Sequence, residues 1–175
     1  MYGDDGIDTI FADAGQDYAY GGNGADNIYG TGDILHAYGD AGDDVLGGSG
    51  FNDFLYGGAD GDLLWGYLGN DQLFGGTGVD RLSGYTGNDV MNGGAGLDYF
   101  IMNYDVQSAS YDNIADFVDG VDFLQLPTYA QGFTTFTNAA FGCTVSIALG
   151  GSSYNIYVSG VSAAQIADQV YYFGV

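Results

Sequence analysis

The chain has 175 residues, 46% of them apolar, and a formal net charge of −22, enough apolar material for one compact domain or two small ones and too much for a wholly solvated acidic tail. All 23 acidic residues are Asp and Arg81 is the single basic residue, which argues against nucleic acid and anionic membrane as partners. No apolar run approaches the ~18 residues of a membrane span, and the acidic start Met1-Tyr2-Gly3-Asp4-Asp5 is not a cleavable secretory signal, so an export address would lie elsewhere.

Using Asp alone is informative. Glu would serve solubility as well, whereas Asp fits a tight turn beside its own backbone and is a hard oxygen ligand. With 33 Gly and one Pro, the chain is dense in special turns and poor in helix formers other than Ala and Leu, so an all-β architecture is expected. Cys143 is alone and reads as a small buried thiol.

From Gly3 to Ile101 a nine-residue frame runs without insertion or deletion through eleven repeats. Position one is Gly in every repeat except Ala12: Gly3, Gly21, Gly30, Gly39, Gly48, Gly57, Gly66, Gly75, Gly84 and Gly93. Position six is Asp8, Asp17, Asp26, Leu35, Asp44, Asp53, Asp62, Asp71, Asp80, Asp89 and Asp98. Position eight is always apolar: Ile10, Ala19, Ile28, Ala37, Leu46, Leu55, Leu64, Leu73, Leu82, Met91 and Phe100. The repeats at 21–29, 75–83 and 93–101 read in full as G-G-x-G-x-D-x-U-x, with U apolar. On these columns the segment 3–101 resembles the RTX, or hemolysin-type calcium-binding repeat, family. Asp33, Phe51 and Asp60 depart from Gly at position four, and Tyr67 and Tyr85 stand at position two.

The resemblance implies a parallel β-roll. In each nonapeptide six residues turn and three form a short strand with its middle side chain inward. Two repeats make a coil, and like-parity repeats stack at ~4.8 Å into a roll roughly 25 Å long. Stacking brings the position-six carboxylates and turn carbonyls around common points. The expected ligands are Asp8, Asp17, Asp26, Asp44, Asp53, Asp62, Asp71, Asp80, Asp89 and Asp98, with backbone oxygens of Gly3, Gly6, Gly21, Gly24, Gly39, Gly42, Gly57, Asp60, Gly75, Gly78, Gly93 and Gly96. Oxygen-only surroundings suit Ca²⁺ and not Zn²⁺. The odd column is unbroken; Leu35 interrupts the even one, leaving about seven well-formed sites and two that lack a carboxylate. Eleven inward side chains, two of them Ala, bury too little to order so Gly-rich a chain unaided, so calcium-driven folding is expected.

Residues 102–175 read as a β-rich cap on the roll of residues 1–101. The segment from Asp112 to Leu126 resembles the D-x-I-x-D-F-x-x-G-x-D stretch that follows RTX repeats; that resemblance continues the roll and makes Asp112, Asp116 and Asp122 candidates for a further ion. Thr144 to Leu149 and Tyr154 to Ser159, around Gly150-Gly151-Ser152-Ser153, read as a hairpin. Ser162 to Gln165 is a capping-box start for a short helix. The apolar end, Gln169 to Val175, resembles the uncleaved export region of type I secretion substrates and also reads as a final strand.

No catalytic neighbourhood is legible. There is no H-E-x-x-H, the lone His36 points outward beside Tyr38, and repeat phase explains the carboxylates. The chain reads as non-enzymatic. Aromatic side chains exceed what the repeat needs: Tyr18, Tyr20, His36, Tyr38, Phe54, Tyr56 and Phe74 on the even face, Phe11, Tyr29 and Trp65 on the odd face, a surface to be covered by the cap, an upstream domain or a ligand. The expected function is a calcium-binding module of a secreted or cell-surface bacterial protein, folding outside the cell. The alternatives are a self-assembling surface-layer or fibre protein, associating through its uncapped first coil, and a module that binds extracellular polysaccharide.

Overall fold

The computed structural model describes residues 1–102, 110–132, 134–149 and 152–173. From β1 to β14 the strands fall alternately on two sheets. β1 (Tyr2–Asp5), β2 (Thr9–Ala12), β3 (Asp17–Asn23), β4 (Asn27–Gly30), β5 (Leu35–Ala41), β6 (Val45–Gly47), β7 (Phe54–Ala59), β8 (Leu63–Trp65), β9 (Gln72–Gly78), β10 (Arg81–Ser83), β11 (Val90–Gly96) and β12 (Tyr99–Ile101) occupy the repeats. β13 (Tyr111–Ile114), β14 (Phe123–Pro127), β15 (Thr134–Ala139), β16 (Gly142–Leu149), β17 (Ser152–Ser159), the helix α1 (Ala163–Ala167) and β18 (Val170–Phe173) follow. One sheet has the order β1-β3-β5-β7-β9-β11-β13-β17-β16-β15, the other β18-β14-β12-β10-β8-β6-β4-β2. The molecule is an all-β parallel solenoid of about six turns with an antiparallel segment near its C-terminus.

Like-parity strands pair in parallel at a step of 18 residues, as in Tyr20↔Tyr38 and Leu46↔Leu64. Every position-eight side chain is buried, from Ile10 at 8% exposed to zero for the rest. The fixed step therefore stacks identical apolar positions into one continuous core, as the alternation of a pleated strand requires.

One expectation needs correction. The strands of the smaller sheet within the repeats are three or four residues long, but β3, β5, β9 and β11 reach seven. They run on from the even repeats into the glycine segments of the odd ones, which are paired and not merely turned. The cause is a column of left-handed residues in phase: Asp4 (φ 73°), Gly22, Asp40 (φ 74°), Gly58, Gly76 and Gly94. Because every coil carries a positive-φ residue at this same point, the strands bend in register and pairing survives the bend. A Cβ at Gly24 would collide with the Gly6 carbonyl oxygen, so this close stacking depends on glycine there.

Beyond Ile101 the frame stops and the roll does not. Val90 pairs with Asn113 and Phe100 with Leu124, so the coil lengthens by a few residues while its strands keep their places. β17 then pairs in parallel with β13, and β15, β16 and β17 form an antiparallel meander. The hairpin is present as β16–β17; Gly150 and Gly151 of its turn lie outside the described residues. β15, which pairs with β16, has no counterpart in the sequence reading. Ser162 caps α1 with Gln165 in the reciprocal box, and β18 adds a final strand to β14; Gly174 and Val175 lie outside the described residues. The C-terminal strands extend the sheets instead of folding over the aromatic face.

Candidate metal centre

Eight of the ten repeat aspartates, from Asp26 to Asp98, are at most 1% exposed. Each carboxylate is divided between two tasks. The Asp8 amide donates to Asp26 Oδ1 at 2.8 Å, Asp26 to Asp44 Oδ1 at 2.7 Å, Asp44 to Asp62 Oδ1 at 2.9 Å and Asp62 to Asp80 Oδ1 at 2.8 Å. The other column does likewise through Asp53, Asp71 and Asp89. One oxygen thus holds the turn one coil earlier, a role that the reading of these residues as ligands alone had not anticipated.

The second oxygen is left over. Oδ2 of Asp8, Asp17, Asp26, Asp44, Asp62, Asp71, Asp80, Asp89 and Asp98 is buried without a hydrogen-bond partner. An unpaired buried carboxylate oxygen is among the costliest groups a fold can contain. Burial, with neighbouring aspartates adding repulsion, raises the carboxyls of Asp62 and Asp71 to about 8 and those of Asp44 and Asp98 to about 6. Burial does the same to Asp89, also to about 6. The sole Arg cannot neutralise two columns of acids.

What faces these oxygens is backbone carbonyl. A Cβ placed on Gly21 would lie 2.5 Å from Asp26 Oδ2 and 2.7 Å from the Gly39 carbonyl oxygen; on Gly48, 2.6 Å from both Asp53 Oδ2 and the Gly66 carbonyl oxygen; on Gly3, 2.5 Å from the Gly21 carbonyl oxygen and 2.9 Å from Asp8 Oδ2. A carboxylate oxygen and a carbonyl oxygen of the next coil thus converge beside each of these glycines, where a side chain would collide with both. The same pairing of carboxylate and carbonyl recurs at Gly39, Gly57 and Gly75 in the odd column and at Gly66 in the even one. Glycine leaves a small oxygen-lined cradle at each, and the donor set fits a hard cation that takes 6–8 oxygens. Among the described residues no three His, Cys, Asp or Glu side chains converge, so carbonyls must complete any such shell.

The structure therefore brings the position-six Asp together with the position-one Gly3, Gly21, Gly39, Gly57, Gly75 and Gly93. The position-four residues Gly6, Gly24, Gly42, Asp60, Gly78 and Gly96 form a column of positive φ; a Cβ on Gly24, Gly42, Gly78 or Gly96 would collide with the carbonyl of its predecessor one coil earlier. Gly48 and Gly66 belong to the cradles although the sequence reading named only odd-repeat glycines; the same nine-residue frame carried the signal. Asp53 is distinct, since its Oδ2 accepts from the Ser49 amide at 2.5 Å and the Ser49 hydroxyl at 3.0 Å.

Both columns end in aspartates outside the repeats. Asp112 Oδ1 accepts from the Asp89 amide and Asp122 Oδ1 from the Asp98 amide, each at 3.0 Å. Here the second oxygen is satisfied by protein: the Tyr154 hydroxyl donates to Asp112, and the Val118 amide to Asp122 at 2.7 Å. Asp116 accepts from the Gly93 and Gly94 amides.

The aromatic residues form ladders. Tyr2, Tyr20, Tyr38, Tyr56 and Phe74 stack with centroids 4.8–5.0 Å apart, and His36 lies between Tyr18 and Phe54 at 4.5 and 4.7 Å. His36 is a rung of a stack, with Gln16 beside its Nε2 at 3.1 Å.

A family model for the RTX calcium-binding nonapeptide repeat matches residues 2–34, 38–73 and 74–101. No curated protein matches the chain. Among solved structures it resembles the AlgE6R3 subunit of the Azotobacter vinelandii mannuronan C5-epimerase, with a TM-score of 0.53 and 23% identity over 70% of this chain and 78% of that one; at that identity the likeness is one of fold. Frame, paired columns of half-satisfied aspartates and family match agree: the chain belongs to the RTX calcium-binding nonapeptide repeat family.

Proposed function

We propose that this chain is a non-catalytic module of a secreted or cell-surface bacterial protein, and that calcium met outside the cell converts it from a self-repelling chain into a β-roll. RTX repeats are typical of secreted bacterial proteins. The observation that carries the reading is the in-phase set of buried Oδ2 atoms without partners. A fold that leaves nine carboxylate oxygens unpaired requires cations to be stable. The position-six aspartates and position-one glycine carbonyls would hold about seven Ca²⁺ ions, one per cradle. Bound there, calcium supplies positive charge and cross-links successive coils. Residues 1–101 carry the ions, and residues 102–175 close the roll.

The test is far-UV circular dichroism of chelated protein titrated with calcium. A cooperative gain of β signal in the micromolar to millimolar range is expected. A spectrum unchanged by millimolar Ca²⁺ would overturn the reading. A second reading, contact with an extracellular polysaccharide, is favoured by the fold likeness to a subunit of a mannuronan C5-epimerase.

A further inference from the structure

We infer that the cleft lined by Tyr99, Phe123, Gln125, Tyr171 and Tyr172, with Arg81 one ring away across Tyr99, is a subsite for a largely neutral saccharide that carries one carboxylate; this rests on the polysaccharide reading above. The aromatic ladder would be the obvious platform for sugar, and its geometry argues against it. Sugars pack their C–H faces on ring faces, but the rings of Tyr2, Tyr20, Tyr38, Tyr56 and Phe74 lie within 3–9° of parallel at 4.8–5.0 Å. The faces between neighbouring rungs are spent on one another, so along the ladder solvent meets ring edges and hydroxyls, and only the outer sides of the end rings Tyr2 and Phe74 are left out of the stack.

The opposite sheet differs. Exposed Arg81 holds its guanidinium carbon 5.1 Å from the Tyr99 ring centre. Tyr99 stacks on Phe123 at 5.4 Å, and Tyr171 meets Phe123 at 5.0 Å but turned by 81°. Lying across the stack and 54% exposed, Tyr171 presents its ring at a steep angle to the rings it joins, which no rung of the ladder does. Tyr99, Phe123, Gln125, Tyr171 and Tyr172 line a cleft of about 410 Å³, within the about 300–1,000 Å³ of small-ligand sites. The Gln125 amide can both donate to and accept from hydroxyls.

Charge selects the occupant further. Arg81 is the one basic residue of a chain with net charge −22, and its planar fork pairs with a carboxylate through two parallel bonds. Beyond roughly 8–10 Å, a Debye length at moderate salt, a ligand meets only the screened negative field of the molecule. One carboxylate at Arg81 is favoured, while a row of them is repelled.

The experiment is calorimetric titration of calcium-loaded chain with a xylo-oligosaccharide bearing one glucuronic acid, with its neutral counterpart and with polygalacturonate. The single-acid sugar should bind at least tenfold more tightly than either. Arg81→Gln should erase its advantage over the neutral sugar, Arg81→Lys should restore part of it, Tyr171→Ala should weaken both sugars tenfold or more, and Tyr38→Ser should leave both unchanged. Wild-type affinity in Arg81→Gln and Tyr171→Ala proteins with native circular dichroism would remove this subsite and leave the polysaccharide reading standing. No binding of any of the three sugars would remove both. Tightest binding of polygalacturonate, or loss of binding in Tyr38→Ser, would overturn the assignment of ligand or of face.

Discussion

Leu35 donates its amide to Asp53 Oδ1 at 2.7 Å, although Leu35 occupies the place that Asp holds in every other repeat. Leu35 thus donates as an Asp would but cannot accept as one: the Asp17 amide donates instead to the Ile34 carbonyl oxygen at 3.0 Å, and both carboxylate oxygens are missing from this coil. Leu35 is 1% exposed, so the site is closed over by apolar carbon. Leu35→Asp is expected to raise the number of bound calcium ions by one or two, while making the chelated protein less able to fold. Equilibrium dialysis with labelled calcium measures the first effect; an unchanged stoichiometry would contradict the cradle model.

Asp62 accepts from the Asp44 amide through Oδ1 while its Oδ2 has no partner. Asp62→Asn keeps an acceptor and removes the charge. The variant should need on the order of tenfold more calcium to fold, yet show more residual β structure than wild type in chelator. Asp33→Ala should move the calcium midpoint far less, because the exposed Asp33 carboxylate accepts from the Gly15 amide at 3.0 Å and is not at a position-six place. Equal midpoints for the two would refute the assignment.

Burial raises the carboxyls of Asp44, Asp62, Asp71, Asp89 and Asp98 from 3.8 to between about 6 and about 8. A carboxyl with a higher pKa in the fold than in the open chain binds its proton more tightly when folded, so protonation favours the fold. In chelator, β structure should be greatest below pH 4 and fall as pH rises through 6 to 8. Protons and calcium then act on the same oxygens, and the calcium dependence of folding should flatten in acid. A chelated spectrum constant from pH 4 to 9 would exclude this linkage.

Magnesium should fail to replace calcium. It dehydrates reluctantly and demands a tight octahedron at about 2.0–2.1 Å, whereas the cradles are set by coils whose spacing the core fixes. Full folding in millimolar Mg²⁺ alone would count against carbonyl ligation.

Tyr38 lies between Tyr20 at 4.8 Å and Tyr56 at 4.9 Å. Aromatic pairs contribute about 0.5–1.5 kcal/mol each, so Tyr38→Ser should cost roughly 1–3 kcal/mol at saturating calcium, read by denaturant unfolding. Calcium stoichiometry should not change, since the cradle at the adjacent Gly39 is lined by Asp44 Oδ2 and the Gly57 carbonyl oxygen and not by the ring.

The parts of this architecture legible in the sequence are those that a fixed step of nine dictates. Position eight had to be core because its column is apolar throughout, and position six had to converge because like parity stacks. What escaped depends on events between distant residues. The division of each carboxylate into a bonded and a free oxygen is a matter of rotamer, not of spacing. β15, with its run of Thr and exposed side chains, carries no apolar period, and the Tyr154–Asp112 contact joins residues 42 apart in a stretch without repeats. Tyr2 was overlooked as a fifth rung of the ladder because it precedes the first repeat.

The Tyr154–Asp112 and Val118–Asp122 bonds give the two columns a direction. At that end the last carboxylate is satisfied by the protein itself and needs no ion. Toward Gly3, apart from Asp53 with its Ser49 partner and the apolar Leu35, each position-six carboxylate keeps an Oδ2 without a partner, and each coil contacts only its neighbours. The segment carrying Tyr154 and Asp112 is consequently the end of the columns that holds its carboxylates without cations, and growth of the roll is expected to proceed from it as from a seed, coil by coil toward the N-terminus.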